Sequence, residues 1–221
     1  MAVLASLVAA RLSPGVEPPS SERASRRPLH RSRGIVVRLS ALFALDSFGG
    51  GFVTQAFVAY WFARKFDASA ELLGLVFFGI GILQALSFQA AVRLAGRIGL
   101  LRTMVFTHLP SNLLLALIPV APSLAGAIGL LLGRSLLSQM DVPTRQAYVA
   151  LVVAPDERTA AAAYTNASRY VVRPIGPIAA GALISGVALG APLIVAGALK
   201  SIYDLGLYGL FHSVRLDDGG S

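Results

Sequence analysis

The 221-residue chain carries 19 Lys and Arg against 11 Asp and Glu, a net charge of +8, yet only 14% of its residues are charged and 55% are hydrophobic. A soluble domain carries nearer a quarter charged residues, so at a mean hydropathy of +0.69 the solvent for most of this chain is lipid. The absence of cysteine excludes disulfides, thiolate metal sites and cysteine nucleophiles, and the arginines fall between apolar runs instead of forming one basic face, which argues against a nucleic-acid partner.

Met1 to Ala10 is apolar but lacks the basic start of a signal peptide. At about 1.5 Å per residue it covers half of a bilayer core, so residues 1–12 read as the end of a preceding transmembrane helix. Residues 13–34, rich in Pro, Ser and Arg, read as a solvated cytoplasmic loop. Six apolar stretches follow, at about Ile35–Phe62, Glu71–Val92, Thr103–Pro119, Ser123–Met140, Thr159–Val187 and Ala191–Phe211. Each approaches or exceeds the roughly 20 residues that cross a bilayer, and lipid leaves their backbones no partner except their own helix. The expected fold is all-α, with a six-helix transmembrane domain over 35–213 and a cytoplasmic tail over 214–221.

Loop arginines set the orientation. Arg93, Arg97, Arg102, Arg145, Arg158 and Arg215 fall on the same side as the Pro/Arg-rich loop, and only Arg64 and Lys65 fall opposite. The positive-inside bias places both ends in the cytoplasm.

Three segments carry a family resemblance. The loop Arg93 to Arg102 resembles the Gly/basic cytoplasmic loop of the major facilitator superfamily, in its second copy. Gly133-Arg134 through Asp141-Val-Pro143-Thr-Arg145 is similar to the end of that family's tenth helix, and Gly176-Pro177 through Gly181 to the Gly-Pro element of its eleventh. The resemblance runs from Arg31 to Val214 and is strongest to bacterial multidrug exporters. It implies the C-terminal half of the fold, six helices arranged as a 3+3 inverted repeat. It further implies proton-coupled efflux of small amphipathic solutes from the bacterial inner membrane. The partners would be lipid, a small solute, protons and a second six-helix half, whether covalent, separate or homodimeric.

Candidate site residues are ionisable or helix-breaking groups inside these stretches. Asp46 lies about eleven residues, roughly 16 Å, into the first stretch, where a carboxylate marks a functional site unless it is simply paired. Gly49, Gly50 and Gly51 follow it and favour either a helix break or tight packing. Arg134 and Asp141, two turns apart, read as a gate network, with Arg134 facing a cavity as the alternative. Arg145, Arg169 and Arg97 extend the gate set. Arg173 is either a substrate contact or a gate partner. Lys200 and Asp204 read as an ion pair within one helix. Gln84 and Asn112 are uncharged candidates. Pro143 is expected to end the fourth span and Pro174 with Pro177 to kink the fifth, with Gly176, Pro177 and Gly181 as helix-break or packing positions. Gly74, Phe78, Gly81 and Ala85, and Gly126, Gly129 and Gly133, are expected to pack helices closely.

The histidines His30, His108 and His212 are far apart in sequence, so no metal or cofactor is expected. No Ser/His dyad or paired-aspartate motif suggests an enzyme. Buried charges on several spans, with the family resemblance behind them, make secondary transport the expected function. The alternative is an inactive fragment or scaffold subunit.

Overall fold

The computed structural model describes residues 29–212. The expected helix remnant at 1–12, most of the 13–34 loop and the 214–221 tail lie outside the described residues. Among the described residues nine α-helices follow one another: α1 (Arg33–Phe52), α2 (Gln55–Phe66), α3 (Ala70–Ile98), α4 (Leu100–Leu117), α5 (Leu124–Ser138), α6 (Asp141–Val152), α7 (Arg158–Val172), α8 (Ile175–Gly186) and α9 (Ala191–Phe211). Short 3-10 turns at Ile118–Val120 and Pro155–Glu157 complete the set, and the described residues contain no strand.

Among the described residues, four helices are long and apolar enough to cross a bilayer: α1, α3, α4 with its 3-10 extension to Val120, and α9. Three of the six apolar stretches are not single long helices. The first ends a helix at Phe52 and begins another at Gln55, just past the glycine run. The fourth holds only the 15 residues of α5, roughly 22 Å of helix. The fifth is cut between Val172 and Ile175, where Pro174 supplies no backbone donor.

Side chains at the breaks explain why new helices start there. Thr54 Oγ1 accepts from the Phe57 N–H at 3.2 Å, Ser69 Oγ from Leu72 at 3.3 Å and Ser123 Oγ from Gly126 at 3.2 Å. Each satisfies an otherwise orphaned first-turn donor. Asp67 closes α2 in a left-handed conformation, φ 53°, with its N–H bonded to Ala63 O. Pro143 does not end the fourth span as expected. That helix stops at Ser138, and Pro143 falls in the first turn of α6, where its missing N–H leaves nothing unpaired.

Helix α9 packs against α4 and α1, α1 against α7, α4 against α5 and α6, and α3 against α5. Two apolar clusters result. Phe52, Trp61, Phe62, Leu115, Ile118, Leu193 and Ala196 belong to one; Leu39, Phe43, Met104, Tyr148, Tyr203, Leu207 and Phe211 belong to the other. Three helices repeat one order along their length. On α1 the buried polar Asp46 lies between Phe43 and Phe52, on α4 His108 and Asn112 between Val105 and Leu115, and on α9 Lys200 between Ala196 and Tyr203. A charged layer is thus held between two apolar plugs.

Where the two broken helices meet, their backbones touch. A Cβ on Gly51 would stand 2.4 Å from Arg173 O and 2.9 Å from Gly176 Cα; one on Gly176 would stand 2.6 Å from Gly51 Cα. Only glycine permits that approach. The other expected small-residue contacts are mostly absent among the described residues. Gly74, Gly81, Gly129 and Gly181 have nothing within 4 Å of a would-be Cβ, and Phe78 is 71% exposed. For Gly74, Phe78 and Gly81 the cause is that the α3 face carrying Leu75, Phe78, Ile82 and Leu86 has no helix against it among the described residues.

Candidate functional site

The charged layer centres on Asp46, which the α1 backbone delivers to the middle of the bundle. Lys200 Nζ on α9 donates to Asp46 Oδ1 at 2.5 Å. Arg145 Nη1 lies 3.7 Å from Asp46 Oδ2, and His108 Nε2 lies 3.9 Å from Oδ1. Gly49 makes the first pairing possible, because a Cβ there would stand 3.1 Å from Lys200 Cγ. The bare α1 surface accepts the aliphatic stem of Lys200, whose head then reaches the carboxylate.

Asp204 forms a second node. His108 Nδ1 lies 2.9 Å from Asp204 Oδ1, and Asn112 Nδ2 donates to Oδ2 at 2.8 Å. His108 therefore stands between two carboxylates, with Asp204 behind it and Asp46 in front. The third aspartate, Asp141, accepts from Arg145 Nη1 at 2.5 Å, one turn along α6. The Arg145 guanidinium also lies over the Phe43 ring, 5.5 Å from its centroid.

Two expected pairings are corrected. Lys200 and Asp204 are one turn apart, yet each turns to a different neighbour, Lys200 to α1 and Asp204 to α4. A charge in a dry interior gains most from the partner that also completes its hydrogen bonds, and those partners are on other helices. Arg134 does not pair with Asp141, whose carboxylate is taken by Arg145. Arg134 Nε is instead buried without a hydrogen-bond partner, as is Arg169 Nε.

A cavity of about 350 Å³ adjoins this layer. Asp46, Gln84, Arg134, Asp141, Arg145, Arg169 and Arg173 line it, together with Gly50, His108 and Lys200. Asn112 stands one layer behind, fully buried against Asp204. Arg97, in the last turn of α3, is exposed and away from the cavity. Among the glycines and prolines, Gly51 and Gly176 make the helix crossing beside it, Gly49 seats Lys200, and Pro143 begins α6. Pro177 lies within the first turn of α8.

His108 is the residue that sequence reasoning passed over, because the histidines were weighed only for metal-ligand spacing. Its signal was present. An ionisable group in mid-stretch, with Asn112 one turn on, puts two polar groups on one helix face. The inter-helix roles of Lys200 and Asp204 carried no such local signal.

Further polar ties fasten α1 to the segment before α8. Ser47 Oγ donates to Arg169 O at 2.9 Å and Ser168 Oγ to Ser40 O at 3.1 Å. At the loop end of α1, the Glu157 carboxylate accepts the backbone N–H groups of His30, Arg31 and Ser32 at 2.6, 2.9 and 2.8 Å. The three donors belong to the N-cap Ser32 and the two residues that lead into α1. Ser32 Oγ accepts in return from Ala154 N at 3.0 Å. Hydrogen bonding holds the Glu157 carboxyl down to about 2 from its ordinary 4.5, the His30 backbone N–H contributing most and the Ser32 side chain next, ahead of the backbone N–H groups of Arg31 and Ser32.

Four bilayer-length apolar helices around a buried charged layer define an integral membrane protein. The chain is similar to an uncharacterized membrane protein of Saccharomyces cerevisiae, with 27% identity over 194 residues covering 87% of this chain and 43% of the yeast protein. The chain thus spans less than half the length of that relative. No protein-family model matches it.

Proposed function

We propose that this chain carries one six-helix unit of a secondary transporter of the major facilitator type, arranged as two three-helix repeats with both ends in the cytoplasm. On this reading the stretches spanned by α1 with α2, by α5, and by α7 with α8 cross the membrane as short or broken helices. Discontinuous helices meeting at a central site are a recurring feature of such carriers. The observation that carries the reading is Asp46: a carboxylate buried at mid-bundle, shared by Lys200, Arg145 and His108, on the wall of a cavity beside two helix breaks.

The mechanism we attach to it is exchange of the Asp46 partner. While Lys200 holds Asp46, the carboxylate stays ionised. When a proton neutralises Asp46, the attraction between α1 and α9 is lost and the two helices are free to separate. Proton movement is thereby coupled to exposure of the cavity. His108, 3.9 Å from Asp46 and 2.9 Å from Asp204, offers the proton a second carrier. Efflux is the direction that the family resemblance suggests. The cavity wall opposite these helices would come from a second six-helix unit, and lipid covers the remaining apolar faces.

The test is reconstitution of the full chain in proteoliposomes, with its assembled mass measured in detergent. A dye flux driven by an imposed pH gradient and abolished by Asp46→Asn is expected, from an assembly larger than one chain. A folded, monomeric and inert chain refutes self-sufficient transport. Flux unchanged by Asp46→Asn refutes the coupling role.

A further inference from the structure

The charges lining the cavity do not balance. Lys200 is committed to Asp46 and Arg145 to Asp141. Arg134, Arg169 and Arg173 line the same space and form no ion pair among the described residues. Arg134 comes from α5, and Arg169 and Arg173, one turn apart, from the end of α7 where it breaks, so two separate backbone segments bring three guanidinium groups to one volume. Both acidic residues of the lining are already engaged.

We propose that the cavity is a binding site for a small anion, a solute bearing a carboxylate or phosphate group. This inference rests on reading the cavity as a solute site. Arg134 Nε and Arg169 Nε are buried donors with no acceptor in the protein, an arrangement that costs free energy until an acceptor arrives. The guanidinium is also the side chain whose fork matches a planar or tetrahedral oxyanion with two parallel hydrogen bonds. Gln84, Ser138 and Gln139 add uncharged hydrogen-bonding groups to the wall. The volume, about 350 Å³ within this chain, has room for a small metabolite-sized anion. A cationic solute would meet three uncompensated like charges.

Isothermal titration calorimetry on the purified full chain in detergent tests this with benzoate, its neutral isostere benzamide, and inorganic phosphate. Benzoate or phosphate is expected to bind, and benzamide to bind at least about tenfold more weakly, the scale of one lost charge-assisted hydrogen bond. Benzoate without phosphate assigns a carboxylate site; the reverse assigns a phosphate site. Arg134→Gln and Arg169→Gln are each expected to weaken the anion about tenfold or more. Arg134→Lys recovers only part, since it restores charge without the fork. Arg64→Gln, exposed at the far end of α2, leaves binding unchanged. Melting curves confirm that each variant is folded. Equal binding of benzamide and benzoate, no heat with either anion, or full affinity in folded Arg134→Gln overturns the proposal. Its failure is separable from that of the transport reading. An anion bound but never carried leaves the site and removes the transporter, whereas proton-driven flux of a cationic dye indifferent to Arg134→Gln does the opposite.

Discussion

Substituting Gly51 or Gly176 by alanine tests the helix crossing beside the cavity. The new Cβ at Gly51 would stand 2.4 Å from Arg173 O and 2.9 Å from Gly176 Cα, and the one at Gly176 2.6 Å from Gly51 Cα and 2.8 Å from Phe48 O. Carbon atoms rest at about 3.5–4.0 Å, so relief requires moving backbone by about an ångström, and no flexible side chain is available to yield. Overpacking of this kind costs about 1–3 kcal/mol or more. Alanine returns up to about 1 kcal/mol of helix propensity. The net expectation is a loss of about 1–2 kcal/mol or more for each single variant. The double variant should lose less than the sum, because one separation of the helices relieves both clashes. Gly181→Ala is the control. It lies on α8 with nothing within 4 Å of its Cβ position, so it is expected to gain up to about 1 kcal/mol. Denaturant-induced unfolding in mild detergent reads all four. Gly51→Ala as stable as the unsubstituted chain, or Gly181→Ala as damaging as Gly176→Ala, refutes the crossing.

Lys200→Met leaves Asp46 buried with Arg145 at 3.7 Å as its remaining cation. A loss of about 3 kcal/mol is expected, the low end for a broken buried pair, and Asp46→Asn in the same chain should restore most of it; a double-mutant cycle in detergent checks this. Asn112→Leu removes a 2.8 Å bond to the Asp204 carboxylate and should cost about 1.5–3 kcal/mol, read from the same unfolding curves. Glu157 has its carboxyl depressed in the folded chain, so folding favours the ionised form and the stabilisation is complete above about pH 4.5. It declines as the pH falls towards about 2. The difference in melting temperature between the unsubstituted chain and Glu157→Gln is therefore expected to be constant near neutrality and to shrink across that acid window. A difference that grows on acidification contradicts the capping role.

The membrane class was legible because it depends on properties that add along the chain: apolar content, stretch length and the side on which arginines fall. The breaks were legible for a similar reason. Gly49 to Gly51 and Pro174 act on the backbone within a residue or two of themselves, so their effect is written where they stand. Pairing was not legible. A four-residue spacing made Lys200 and Asp204 look like partners, and seven residues did the same for Arg134 and Asp141. Spacing reports only which groups share a helix face. It does not report which neighbour that face meets, and for a buried charge the neighbour decides. For His108 the local signal, a mid-stretch ionisable group with Asn112 one turn on, marked a polar face, but the two aspartates that face meets lie on two other helices.

The ties between α1 and α7 have a mechanical implication. Glu157 fastens one end of α1, Ser40 with Ser168 the middle, and Ser47 with Arg169 the stretch beside Asp46. These contacts join two helices distant in sequence into one stiff beam that stops at the glycine crossing. Beyond it, α2 and α8 each begin afresh on their own side of a break. Any displacement of this beam would carry Asp46 and Arg169 together, because Ser47 ties the one helix to the other beside both.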